Sequence, residues 1–361
     1  MESAGLERIV RAEEVAHMGI TEVIRHAPRV YGSYRRLVKS IQQRRPQAAI
    51  LIDFPDVNLR LARELKRLHI PVVYFVSPQL WAWKRRRLQW VQQRVDRMMV
   101  IFPFEESFYR NRNVDATFTG HPLAELQRPS STREQFASAY SLDRSKQWIG
   151  LLPGSRKKEI LSNLPIMLKA AALLGENCEF LLPLASTIDP GDVEGLLAQP
   201  PSFPSIHLLQ DAREVLFHAQ ASIVASGTAT VQAALIGNPF IVVYKVSPLT
   251  FRLAKRLVHY PPEVWPSGVA DEYGNLPIGM VNLIAGRRIV PELIQDNFTA
   301  ANVASTLRPL LEDTPRRAQM MGEFAALRQK LLPPAAASSI SQVADAVDLL
   351  LQRGRIPLPS V

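Results

Sequence analysis

Two turns in the chain combine a glycine with groups that bind anions. Leu152-Pro153-Gly154-Ser155-Arg156 follows an apolar run and precedes a helix-forming stretch. A glycine turn there bares backbone N–H groups, and the start of the helix favours negative charge. The Arg156 guanidinium adds a planar fork suited to phosphate oxygens, with the Ser155 hydroxyl beside it. The second turn, Ala225-Ser226-Gly227-Thr228-Ala229-Thr230-Val231-Gln232, has the same layout with hydroxyls in place of the guanidinium. Such groups cap a helix or hold a diphosphate, and both use the same geometry. Neither turn ends in the Gly-Lys-Ser/Thr of a Walker loop, and neither has the spacing of a dinucleotide GxGxxG. Two anion-ready turns favour a nucleoside diphosphate. The plain alternative is two ordinary strand–turn–helix links with Arg156 on the surface.

A third stretch carries carboxylates. In Ile52-Asp53-Phe54-Pro55-Asp56-Val57-Asn58, Asp53 ends an apolar strand and Asp56 stands where it could cap the next helix. Asp53 is the candidate general base, since burial in a cleft would raise its carboxyl toward a useful range. The reading in which both aspartates are caps stays open. Further on, Trp81 and Trp83 run into Lys84-Arg85-Arg86-Arg87. Aromatic rings beside a basic run suit a membrane interface or a nucleic acid, and equally packing at a domain cleft. Trp81, Trp83 and Arg86 are expected to face a membrane or acceptor. His121 has no His or Cys at metal-ligand spacing, so a structural or polar contact is expected of it.

These groups need strands to carry them. Apolar runs at Gln47–Asp53, Pro71–Val76 and Arg97–Phe102 read as strands, with a helix at Val57–Leu68 and a basic helix through Lys84–Val95. The second half repeats the style with Trp148–Leu152, a helix near 159–174, Glu179–Pro183, Ser205–Leu209, Ala221–Ala225, a helix from Thr230, and Phe240–Tyr244. Strand–helix alternation means parallel sheets covered on both faces. The expected organisation is an α/β chain of two Rossmann-like domains, 1–145 and 146–332. Their polar boundary lies in Pro129–Lys146. A final helical piece, 333–361, could pack back on the first domain.

Composition sets the limits. The chain has 361 residues, 47% hydrophobic and 21% charged, enough for two buried cores and too apolar for disorder. No apolar run approaches the roughly 20 residues of a spanning helix. The single cysteine, Cys178, excludes an intramolecular disulfide and a Cys-based zinc site, and points to a reduced, cytoplasmic setting. The net charge of +10 is uneven: residues 1–145 hold 24 Lys+Arg against 15 Asp+Glu, and the remainder 19 against 18. The first half is therefore expected to face something anionic.

In their order, these segments resemble the lipid-A-disaccharide synthases, glycosyltransferases of the two-Rossmann GT-B type. The matching pieces are Met18-Gly19-Ile20 with Glu22 and Val23, IDFPDVN at 52–58, VSPQLWAW at 76–83, FPFE at 102–105 with Tyr109, and GHPL at 120–123. After these come LLPGSR at 151–156 with Glu159, ASGTATVQAAL at 225–235, VNLIAGR at 281–287 and PELIQ at 291–295. The resemblance covers nearly the whole chain. It implies inverting transfer from UDP-2,3-diacylglucosamine to 2,3-diacylglucosamine 1-phosphate, giving lipid A disaccharide 1-phosphate and UDP. No metal or other cofactor is implied. Asp53 would activate the acceptor hydroxyl. Ser155, Arg156, Ser226, Gly227 and Thr228 would hold the diphosphate, while Gln232, Asn282, Glu292 and Gln295 would shape the nucleotide and donor site. The setting implied is the cytoplasmic face of the inner membrane, as a peripheral protein; a homodimer is left open.

The chain departs from the family at Gln232, where a glutamate is usual, and in the longer connection His259–Gly279. An opening strand with a glycine-rich loop is also missing, so the first domain is expected to be incomplete at its N-terminus and the chain weakly active. The rival readings are another UDP-sugar transferase or an epimerase of similar fold, a truncated relative that only binds nucleotide, and a nucleic-acid binder. No nucleic-acid motif supports the last.

Overall fold

The computed structural model describes residues 5, 7–10, 20–185, 188–197, 205–334 and 337–355. The motif at 18–20 therefore lies largely outside the described residues. A long helix, Ile20–Arg44, leads into the first sheet. Its strands are β1 (Ala49–Ile52), β2 (Val72–Phe75), β3 (Arg97–Val100) and β4 (Ala116–Phe118), all parallel and paired in the order β1-β2-β3-β4. The second sheet holds β5 (Gln147–Leu152), β6 (Cys178–Pro183), β7 (Ile206–Leu209), β8 (Ala221–Ala225), β9 (Phe240–Tyr244) and β10 (Glu292–Ile294). Its order is β10-β9-β8-β5-β6-β7, again parallel throughout. β2 and β8 are buried along their whole length, because helices cover both faces, which is why such strands read as unbroken apolar runs.

The expected basic helix through Lys84–Val95 is broken in the structure. Lys84 takes a left-handed conformation (φ 51°), Arg85–Arg87 form a single 3-10 turn, and the α-helix is only Leu88–Arg94. The helix Ser339–Arg355 lies against β2. Its start is fixed there by Ser339 N–H donating to Glu125 (3.0 Å) and Gln342 Nε2 to the Thr119 carbonyl (3.1 Å).

Glu105 fastens the exits of β2 and β3. It sits in the first turn of helix Pro103–Arg110, fully enclosed. Its Oε1 accepts from Ser77 Oγ (2.7 Å) and Trp81 Nε1 (3.0 Å), and its Oε2 from Phe102 N–H (3.2 Å). Trp81 is thereby drawn inward to 1% exposure, edge-on to Phe104 at 5.2 Å. This corrects the expectation that Trp81 faces a membrane: a buried indole with a buried acceptor is a packing residue. Trp83 and Arg86 do remain exposed. His121 is buried as well, its Nδ1 accepting from Leu123 N–H (3.1 Å) at the start of helix Pro122–Glu125.

Burial lifts the Glu105 carboxyl to about 7, against the pull of its hydrogen-bond donors, and lowers the His121 imidazole to about 4. The folded chain thus holds a proton on Glu105 at pH values where the unfolded chain, with its carboxyl near 4.5, has lost it. That contribution to stability is complete below the unfolded value and lost as pH rises through the folded one. His121 has the opposite slope, its contribution being lost as pH falls from 6.5 toward 4. Glu105→Gln should remove the first slope and leave the second. Its melting temperature relative to the parent chain should rise steadily from about pH 5 to about pH 8 in parallel thermal melts. A constant difference across that range would show that Glu105 is ionised throughout.

Candidate active site

The second sheet runs outward from β5 in both directions, to β6 and β7 on one side and to β8, β9 and β10 on the other. The gap between the carboxyl ends of β5 and β8 is therefore the switch point, where open α/β sheets bind ligands. Both glycine turns emerge there. Gly154 has φ 124°, and a Cβ on it would lie 2.5 Å from Glu159 Oε2 and 2.7 Å from Glu159 Cβ, so only glycine fits. Asn163 holds the turn from beneath, donating to the Pro153 carbonyl (2.8 Å). Glu159 reaches back to accept from Ser155 N–H (3.1 Å) and Arg156 Nη1 (2.8 Å). The Arg156 side chain is otherwise 81% exposed, with most of its donors turned to solvent.

Opposite, Gly227 stands at the start of helix Thr228–Ile236, which no side chain caps among the described residues. Thr230 N–H donates to the Gly227 carbonyl (3.1 Å), while the N–H groups ahead of it have no intrahelical carbonyl to reach and keep their partial positive charge. Thr230 Oγ1 donates to the Gly227 carbonyl (2.7 Å) and Ser226 Oγ to the Ile278 carbonyl (3.1 Å), which fixes the turn. Ser155, Arg156, Ser226, Gly227, Thr228 and Gln232 line one cleft of about 370 Å³, together with Glu159 and Gln210. The structure therefore brings six of the sequence-predicted residues to one place.

Asn282, Glu292 and Gln295 do not line that cleft. Asn282 is fully buried; its Oδ1 accepts from Ile289 and Val290 N–H (2.7 and 3.0 Å), and its Nδ2 donates to Glu292 Oε1 (2.7 Å). Glu292 also accepts from Ile278 and Gly279 N–H (3.0 and 2.9 Å). Burial raises its carboxyl, opposed by these donors and by Arg288. Gln295 makes a closed pair with the Val246 backbone, accepting at 2.8 Å and donating at 3.0 Å. These three hold loops of the second domain, and their polar atoms are engaged within the fold.

In the first sheet Asp53 follows β1 in a left-handed conformation (φ 46°), as does Phe54 (φ 45°), and Val76 does so after β2 (φ 61°). A β-branched residue in that region is a true outlier, and strain of this kind, about 1–3 kcal/mol per residue, gathers at functional sites. The Asp53 carbonyl accepts from Tyr74 Oη (2.6 Å) and Asn58 Nδ2 (2.8 Å), and the latter also reaches Ile52 O (3.0 Å). Its backbone is pinned, while its carboxylate is exposed and has no hydrogen-bond partner among the described residues. The expectation that Asp53 is buried in a cleft is thus corrected. Asp56 does not cap its helix either, since Arg87 and Lys84 hold it in ion pairs.

The 258–279 connection is one of the links between the two sheets. Trp81 lies 5.9 Å from the Tyr260 ring, Tyr260 Oη donates to the Pro277 carbonyl (2.9 Å), and the neighbouring Ile278 carbonyl receives Ser226. Arg112 and Asn111 both reach Glu263 (3.0 Å each). The carboxyl end of β2 is thereby joined to that of β8. Sequence reasoning named Trp81, with packing at a domain cleft as one reading, and Ser226, but missed Tyr260, Asn111, Arg112 and Glu263, as well as Glu159's grip on the first turn. The acidic residue five positions after Gly154 was the available signal for the latter.

A family model described as lipid-A-disaccharide synthetase matches residues 1–347. The lipid-A-disaccharide synthase of Acidobacterium capsulatum is 53% identical over 98% of this chain and 87% of its own, and that of Koribacter versatilis 48% identical over 92% and 83%. Among solved structures, a putative UDP-N-acetylglucosamine 2-epimerase from Listeria monocytogenes superposes with a TM-score of 0.58 at 12% identity, covering 98% of this chain and 85% of that one. The calicheamicin glycosyltransferase CalG4 gives a TM-score of 0.52 at 15% identity, covering 96% and 84%. These two establish a shared GT-B fold.

Because the 153–156 turn depends on a left-handed glycine, Gly154→Ala should lower stability by about 2 kcal/mol. Gly195→Ala, on an open helical surface with nothing within 4 Å of the new methyl, should raise it by about 0.5–1 kcal/mol. Urea titrations of both variants decide this. Equal stability of the two would mean that the turn relaxes freely.

Proposed function

The chain belongs to the lipid-A-disaccharide synthase family, and we propose that Asp53 serves the acceptor of the family's reaction while the 153–156 and 226–228 turns serve the donor. The enzyme is a glycosyltransferase of lipid A disaccharide synthesis, joining a UDP-sugar to a lipid acceptor. In our reading the donor is UDP-2,3-diacylglucosamine and the acceptor 2,3-diacylglucosamine 1-phosphate. The working place is the cytoplasmic face of the inner membrane. The epimerase reading has only fold similarity behind it.

The observation that carries this reading is the cleft at the β5–β8 switch point, with an exposed guanidinium on one wall and an uncapped helix start on the other. The donor's diphosphate fits there. In the reaction an acceptor hydroxyl oxygen forms a bond to the donor's anomeric carbon as the bond from that carbon to the β-phosphate oxygen breaks. The leaving electron pair goes to UDP, where Arg156 and the N–H groups after Gly227 meet the growing charge. The hydroxyl proton passes to the Asp53 carboxylate. A free carboxylate on a pinned backbone suits this role, because it is oriented without being consumed by an internal partner. Attack from the face opposite UDP inverts the anomeric centre. Gln232, lining the cleft, offers an amide to the nucleotide where relatives carry charge.

Two substitutions separate the roles. Asp53→Asn should lower kcat by about 10²–10⁴-fold and leave UDP binding unchanged. Arg156→Ala should weaken UDP by roughly tenfold to a hundredfold, the worth of charge-assisted hydrogen bonds. Calorimetric titration with UDP and a disaccharide-forming assay read both. Unaltered turnover in Asp53→Asn would place the base elsewhere, and unaltered UDP affinity in Arg156→Ala would remove that residue from the site.

A further inference from the structure

Helix Pro248–Leu257 turns its apolar face to solvent. Leu249, Leu253 and Leu257 are 78%, 57% and 56% exposed, and no residue of the helix is buried. Spaced four apart, the leucines form a stripe about 80° wide, with Arg252 and Arg256 along one margin and the half-covered Phe251 on the far side. The helix is nevertheless held firmly. Ser247 caps its start by accepting from Thr250 N–H (3.2 Å), and Lys255 Nζ donates to the Tyr273 carbonyl (3.2 Å) and to Asn275 Oδ1 (3.3 Å). The outward leucines are thus a fixed feature of the surface.

The stripe continues across the domain junction. Two residues beyond Leu257, His259 N–H donates to the Ala82 carbonyl (3.3 Å), and the His259 carbonyl accepts from Arg85. Next to Ala82 stands Trp83, 47% exposed, with the Lys84 ammonium 4.2 Å from the centre of its ring. The helix contains no acidic residue, and Arg252 and Arg256 form no ion pair among the described residues. An apolar stripe with an exposed tryptophan and a margin of one charge sign matches a phospholipid surface, where apolar groups enter the acyl boundary and cations meet phosphates. A second copy packed symmetrically on this face would set arginine against arginine.

We propose that Leu249, Leu253, Leu257, Arg252, Arg256 and Trp83 form the face by which the enzyme docks on an anionic phospholipid bilayer. The inference rests on the reading above, that both substrates are lipid-borne. It adds a docking element from the second domain, on a helix outside the motifs of the first. Docked this way, the protein sets the interdomain loop that joins both sites close to the lipid surface.

The test is vesicle flotation of the full chain with phosphatidylethanolamine vesicles containing about one quarter phosphatidylglycerol, beside pure phosphatidylcholine vesicles. The wild-type chain should float with the anionic vesicles. The triple variant Leu249→Ser, Leu253→Ser, Leu257→Ser should bind them at least about tenfold more weakly, and Arg252→Glu with Arg256→Glu should lose the preference for anionic lipid. Unchanged circular dichroism and melting of these surface variants would confirm that they fold. With substrates dispersed in detergent, the triple variant should keep turnover within about twofold of wild type, while with vesicle-borne substrates it should fall at least about tenfold. Wild-type-like flotation of the triple variant overturns the proposal, as does a wild-type chain that ignores anionic vesicles. A dimer dissolved by the leucine changes with flotation intact would assign the face to a second copy instead. Absence of disaccharide synthesis by wild type in detergent would strike the proposed function, and flotation would still decide the docking face.

Discussion

The carboxylate of Glu292 is the constraint on which the donor side depends. It is sealed from solvent, and its oxygens accept from Ile278, Gly279 and Asn282. Removing a carboxylate from water is unfavourable unless every lone pair is answered, and here the answers come from the end of the 258–279 connection. That connection supplies Tyr260 to the Trp81 ring, Glu263 to Arg112 and the Ile278 carbonyl to Ser226. One buried charge thus fixes a loop, and the loop fixes both the second glycine turn and the seam between the sheets. The phenol of Tyr260 registers this: burial raises it first, and the nearby Glu292 charge raises it further.

Glu105 has the matching duty in the first domain. It collects Ser77, Trp81 and Phe102 and so holds the segments that leave β2 and β3 at one height. The two enclosed carboxylates act on opposite sides of the seam, and Trp81 and Tyr260 are where their spheres touch. Polar networks of this kind are worth little in net stability but favour one arrangement, because a shifted loop would leave a buried polar group unanswered.

The strands of both sheets were legible because parallel strands covered on two faces must be apolar at every position. The two glycine turns were legible because few residue types can occupy them. β4 and β10, three residues each, were too short for a pattern to register. Other features lie in tertiary context. Nothing in the run Trp81-Ala82-Trp83 says that the first ring turns inward to Glu105 while the second stays out; a partner 24 residues away decides it. Asn282, Glu292 and Gln295 announce polarity but not its direction, and in the fold they face loops. Asp53 was legible as a strand-end carboxylate, whereas its exposure follows from the left-handed turn at 53–54.

The contact between Glu159 and the first turn bears on how the enzyme lets go of what it has made. A carboxylate already seated on the Ser155 N–H and on Arg156 is an internal rival for whatever anion enters. An arriving diphosphate gains only the difference between its own contacts and those it displaces. A ligand with several phosphate oxygens can exceed that threshold, whereas a lone carboxylate or chloride gains little. Once the anion leaves, the Glu159 carboxylate is placed to resume both contacts. Under the proposed function, the turn would trade some tightness of binding for prompt clearance of spent nucleotide, which an enzyme that must release UDP on every cycle can use.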